Sequence, residues 1–175
     1  MSVIVFRLGH RIGRDHRITT HCGLVARAFG ADKMLYSGQQ DSKMEATLGK
    51  VSGQWGGSFS AEYTLNAIKT LRSLGNRGRK LVHLTVYGMP VQKKTGEIRK
   101  TGKNIVVIVG GEKVPPEIYQ LADWNISVTG QPHSEISALA VFLDRLFGGK
   151  ELEKKFPRAR LRIIPKEKGK KVLRA

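Results

Sequence analysis

Short apolar runs rich in β-branched residues recur at Val3–Phe6, Lys33–Tyr36, Leu81–Val86, Ile105–Val109 and Asn125–Val128, and helical patterns fill the intervals. The runs are continuous rather than alternating, so both faces of each strand must be covered. That restricts the chain to an α/β fold, a mainly parallel sheet sandwiched by helices. A helix is expected from Ala61 to Leu74, with Ser60 as N-cap, Leu65, Ile68, Leu71 and Leu74 on its buried face, and Gly75 as its stop. A second, from Ser134 to Phe147, is apolar around most of its circumference. Such a helix lies either at the domain centre or at a subunit interface. The interface reading predicts a homodimer.

Charge decides the kind of partner. Of the 175 residues, 31 are Lys or Arg and 14 are Asp or Glu, a net charge of +17. Solubility needs far less, and a charge-rich thermophilic surface mixes both signs, so the excess points to a polyanion such as RNA. The basic residues cluster in four places: Arg7–Arg17, Lys69–Lys80, a segment after Pro90, and a tail from Lys150 with eleven basic residues against three acidic. In the third cluster Lys93, Lys94, Arg99, Lys100 and Lys103 flank Thr95-Gly96, which reads as a hairpin tip. Residues 1–150 are expected to form the domain, with 151–175 a basic extension of it, either a solvated terminus or an arm that tracks nucleic acid. The single cysteine, Cys22, excludes an intrachain disulfide and fits a reducing, cytoplasmic setting. No apolar stretch is long enough for a bilayer, and the first residues lack an export signal.

Two segments point to a ligand pocket. Ile105–Val109 runs into Gly110-Gly111-Glu112-Lys113-Val114-Pro115, and Val128-Thr129-Gly130-Gln131-Pro132-His133-Ser134-Glu135 runs into a helix. Glycines at a buried strand's end expose backbone, and a strand-to-helix turn is where parallel sheets bind ligands. Ser134 can cap the helix and leave amides for an anion or carboxylate, while Val109, Val114, Ile126 and Val128 suit the faces of an adenine. Neither Gly-x-Gly-x-x-Gly nor a P-loop is present. The stretch Arg7 to His21 reads as a loop between the first strand and a helix beginning near Thr20. Its His10, His16 and His21 match no compact zinc spacing, so no metal is expected. Its arginines suit phosphate instead.

Four stretches in this order resemble the SPOUT methyltransferases: Arg7 to His21, Leu84 with Val86-Tyr87-Gly88, Gly110 to Pro115, and Val128 to Ala138. Within that family the chain is most similar to the archaeal branch that methylates the ribose 2′-hydroxyl of the T-loop cytidine at tRNA position 56. The resemblance implies a C-terminal trefoil knot, which periodicity alone would never suggest. It also implies S-adenosylmethionine bound by Leu84, Gly110, Gly111, Glu112, Lys113 and Val114, and by Val128, Thr129, Gly130, Gln131, Pro132, His133, Ser134 and Glu135. tRNA is the implied partner. The wider family's motif asparagine and arginine fall here on Ile18 and Leu24, so the catalytic arginine is reassigned to Arg17 or Arg14, with Arg17 preferred. In the family's dimer Arg17 would face the partner's cofactor. His21 or His133 would accept the hydroxyl proton. Arg7, Arg11, Lys93, Lys94, Arg99 and Lys100 are expected on the RNA. Two alternatives stay open, a basic RNA-binding protein without catalysis and a knotted methyltransferase acting on a base.

Overall fold

The computed structural model describes residues 1–111 and 113–174. Chain order is β1 (Val3–His10), α1 (Ile12–Ala28), β2 (Lys33–Gly38), α2 (Ser42–Trp55), β3 (Ala61–Tyr63), α3 (Ala67–Asn76), β4 (Lys80–Pro90), α4 (Val91–Lys100), β5 (Ile105–Val109), α5 (Pro116–Leu121), β6 (Trp124–Ser127) and α6 (Glu135–Phe147). A 3-10 turn at Lys150–Glu153 leads to a small antiparallel pair, β7 (Leu161–Ile163) and β8 (Val172–Arg174). The main sheet has six strands in the order β3-β2-β1-β5-β4-β6, and every pairing in it is parallel.

The continuous apolar runs have the expected cause. On β1, Val3 and Val5 join a core with α1, α2, α4 and α6, while Ile4 and Phe6 join a second core that includes Leu71 of α3 and Ile118 of α5. Each strand face meets helices, so alternation has nowhere to show. In α6, Ala138, Leu139, Phe142, Leu143 and Leu146 are buried within the single chain, and Val141 stays exposed. The domain centre therefore accounts for most of that helix's apolar residues. Among the described residues, no helix is long and apolar enough to cross a membrane.

Four local expectations are corrected. The helix expected from Ala61 begins later, because Ala61–Tyr63 pairs with β2 as an edge strand and Asn66, not Ser60, caps α3 by accepting from Lys69 N at 2.9 Å. The stretch Arg7–His21 is no loop. β1 continues to His10, opposite Gly38, and α1 starts at Ile12, whose N–H donates to Gln39 Oε1 at 2.8 Å. The segment after Pro90 is no hairpin but α4, with Val91, Thr95 and Ile98 buried at helical spacing. The tail is no free end over its first part. Gly57 N donates to Pro157 O and Arg160 N to Gln54 O, both at 2.9 Å, and the Arg27 guanidinium lies 4.6 Å over the Phe156 ring.

One irregularity in the pairing of β4 with β6 positions the site. Leu84 and Met89, both on β4, oppose the same residue of β6, Ile126. The stretch of β4 between them is pressed onto β6 so closely that a Cβ on Gly88 would lie 2.5 Å from Ile126 N and C. This throws Tyr87 outward, 85% exposed.

Candidate active site

The ends of β4 and β5, the start of α6 and the first turns of α1 enclose a cavity of about 470 Å³. Leu84, Val109, Val114, Ile18 and Ala138 form apolar wall, and Gly110 and Gly111 present backbone. Of the residues expected at a cofactor, Leu84, Gly110, Gly111, Val114, His133 and Glu135 line it. Lys113 faces a neighbouring cavity instead. Val128 is half-buried, and Thr129, Gly130, Gln131 and Pro132 are exposed and not on the wall. Ser134 caps α6 by accepting from Ser137 N at 3.2 Å. Glu112 lies outside the described residues.

Beneath this wall sits Arg7, 1% exposed. Its Nη1 donates to Leu8 O at 3.1 Å, its Nη2 lies 3.4 Å from Glu135 Oε1, and its buried Nε has no partner among the described residues. Arg7 was expected on the RNA surface; the structure buries it because it belongs to the central strand, so it is a pocket residue. At the rim, Arg11 Nε donates to Asp15 Oδ2 at 3.0 Å, and Arg14 Nε lies 3.9 Å from Asp15 Oδ1. Burial alone would raise the Asp15 carboxyl; the Arg11 bond and the charges of Arg11, Arg7 and Arg14 override it and hold the carboxyl below its ordinary range.

Arg17 and His21 are exposed one helical turn apart on α1 and are absent from this cavity's wall. His10 and His16 meet elsewhere. His10 Nδ1 is 2.8 Å from Thr19 Oγ1, and Asp41 Oδ2 lies 3.3 Å from His10 Nε2 and 2.7 Å from His16 Nδ1. Among the described residues, no group of three or more His, Cys, Asp or Glu is arranged to hold a metal ion. His133 Nδ1 is 3.1 Å from the carbonyl of Ser134. His133 is exposed and lines the cavity.

The family model described as tRNA ribose 2′-O-methyltransferase, aTrm56, matches residues 55–173. The chain belongs to this family. A relative named tRNA (cytidine(56)-2′-O)-methyltransferase in Methanothrix thermoacetophila is 54% identical over 99% of this chain and 98% of its own length. One of the same name in Thermococcus kodakarensis is 48% identical over 98% and 96%. Among solved structures, a TrmH/SpoU tRNA modifying enzyme of A. aeolicus superposes with a TM-score of 0.64 at 20% identity, over 87% of this chain and 77% of that one. The SpoU methyltransferase AviRb of Streptomyces viridochromogenes, in complex with AdoMet, gives 0.60 at 14% identity over 82% and 56%. These structural likenesses establish the SPOUT-type fold.

Several wall residues are not assigned to the site from the sequence. His83, Thr85, Tyr87 and Tyr119 all line the cavity. His83 is fully buried, edge-on to Tyr119 with ring centroids 4.7 Å apart; its Nδ1 lies 2.9 Å from Asn125 Oδ1, and its Nε2 has no partner among the described residues. Burial keeps its pKa below the ordinary value, against the opposing Asn125 bond. The one available signal is a polar residue inside the apolar run Leu81–Val86.

Proposed function

We propose that this protein methylates the ribose 2′-hydroxyl of cytidine 56 in tRNA, with S-adenosylmethionine as donor. The observation that carries it is the meeting, in one cavity, of an apolar wall, the bare backbone of Gly110 and Gly111, and two rim arginines. The residues present fit the donor. A cavity of this size with apolar walls suits a nucleoside. The buried Arg7, whose Nε has no partner among the described residues, and the start of α6 suit a carboxylate. The nucleotide, cytidine 56, is taken from the names of the relatives.

Bound adenosylmethionine supplies an electrophilic methyl on a positively charged sulfur. The chain's own residues must align the hydroxyl and take its proton, and alignment supplies much of the rate. Arg14 and Arg11 at the rim suit holding a phosphate or opposing a developing alkoxide; an arginine, with a pKa above about 12, is no general base. His133 is the favoured proton acceptor, since it lines the cavity, whereas His21 is away from the wall. Arg17 is exposed outside this cavity, which is what a residue acting in a partner's cavity requires, so the reading includes a homodimer. It also includes a knot, which the family resemblance implies. A lone, buried free thiol suits a reducing cytoplasm, and the docked tail suits a basic extension of one domain.

Transfer of labelled methyl from adenosylmethionine to an unmodified tRNA transcript, followed by nucleoside analysis, tests the reading. 2′-O-methylcytidine is expected. A methylated base would overturn ribose chemistry, and tRNA binding without transfer would leave a binding protein. Mixed dimers of Arg17→Ala chains with cofactor-dead chains test the partner's role; recovery of activity is expected, and none would remove Arg17 from it.

A further inference from the structure

A second cavity, of about 690 Å³, opens beside the first at the carboxyl ends of β1 and β2. The two share Arg11 and Gly111. The chain leaves β1 toward β2 on one side and reaches β4 and β6 on the other, so the crevice between β1 and β5 is a switch point of the sheet, where open α/β sheets take ligands. We propose that this second cavity holds the base of the acceptor nucleotide, splayed out of the tRNA so that its ribose reaches the shared wall. This rests on the methyltransferase reading and goes beyond it by giving the acceptor base a site.

The composition of the cavity fits a nucleotide. Leu65 stands on its edge 86% exposed, an apolar side chain that the fold leaves without a covering. Near the end of β1 the same cavity is lined by Gly9, whose φ is +66° and on which a Cβ would meet nothing within 4 Å among the described residues. That bare backbone lets a planar ring lie flat, as bases extruded from RNA do against apolar or aromatic surfaces. Lys113 and Arg11 line the same cavity and are exposed, cations placed for the flanking phosphates. An apolar peptide would match Leu65 but not the two cations, and a free anion would match the cations but not Leu65.

Gly9→Asn tests it, because asparagine tolerates a left-handed backbone while its side chain fills the open space. Leu65→Ala is the second variant, and so exposed a residue leaves folding intact. Affinity is measured for an unmodified tRNA transcript and for one lacking the base at the acceptor nucleotide. In the wild type, loss of the base should weaken binding on the order of tenfold, the scale of one stacked base. In Gly9→Asn the intact transcript should bind about that much more weakly, and the abasic penalty should nearly vanish. Leu65→Ala should shrink the penalty in part. Adenosylmethionine affinity should be unchanged in both, since neither residue lines the first cavity. An abasic penalty as large in both variants as in the wild type would overturn the proposal. So would the absence of a penalty in the wild type. Failure of the methyltransferase reading would appear instead in wild-type transfer.

Discussion

Replacing Glu135 by alanine would leave the Arg7 guanidinium at the cavity floor with a backbone carbonyl 3.1 Å from Nη1 and no countercharge from α6. Removing one partner of a fully buried pair costs about 3–5 kcal/mol. The Glu135 side chain keeps 28% of its exposure, and water relieves part of the loss, so about 2 kcal/mol is expected. For a domain of this size that lowers the melting temperature by roughly 4–8 °C. The variant Arg7→Met with Glu135→Ala removes both charges together with the unpartnered Nε. Eliminating both members of such a pair is close to neutral, so the double variant should melt above Glu135→Ala. Thermal unfolding at neutral pH, followed by circular dichroism, reads both. A Glu135→Ala protein that melts with the wild type, or a double variant that melts below the single, would refute the view that Glu135 exists here to balance Arg7.

Gly88→Ala should be strongly destabilising, because its Cβ would strike the Ile126 backbone; Gly96→Ala, in the middle of α4 with open space around it, should stabilise by about 0.5–1 kcal/mol, and urea midpoints compare the two. The Cys22 thiol, buried and pushed up to about 12, should not react with a disulfide reagent until the protein unfolds, and rapid native labelling would contradict its burial. His83 has a folded pKa below its unfolded value, so its stabilising contribution is full above roughly pH 6.5 and is lost as pH falls from there toward the folded value. Wild type should therefore lose more stability between about pH 7.5 and about pH 5.5 than His83→Phe does; parallel losses would exclude it. Reversing Lys93, Arg99 and Lys100, exposed on α4, should weaken tRNA binding and lower its salt slope by about one for each phosphate no longer neutralised.

The strands are legible because burial on both faces leaves a plain mark, five continuous apolar runs. The corrected elements depend on partners far along the chain. Nothing near Ile12 announces a helix start, since its N–H is satisfied by Gln39 and Arg11 provides no side-chain cap. α2 differs, because its signals are local: Asp41 caps it by accepting from Met44 N at 2.9 Å, and Met44, Leu48 and Ser52 are buried at helical spacing. In α4 the Thr95-Gly96 pair imitates a turn, whereas Val91, Thr95 and Ile98 hold the better signal. Of the two pocket segments, Gly110, Gly111 and Val114 meet His133 and Glu135 at the cavity, but Arg7, His83, Tyr87 and Tyr119 reach it through strand pairings that no local pattern encodes.

A six-stranded sheet with only parallel pairs also sets the order of events during synthesis. β1 is central, yet one of its two partners, β5, is Ile105–Val109, roughly a hundred residues later in the chain. No hairpin can seed the main sheet, and each neighbouring pair must first close a long loop, so assembly should be slow for the chain's size. While the ribosome makes the middle of the protein, one edge of the apolar strand Val3–His10 waits unpaired. The nascent chain is then most exposed to sticking to its own kind, and the arrival of Ile105–Val109 ends that interval.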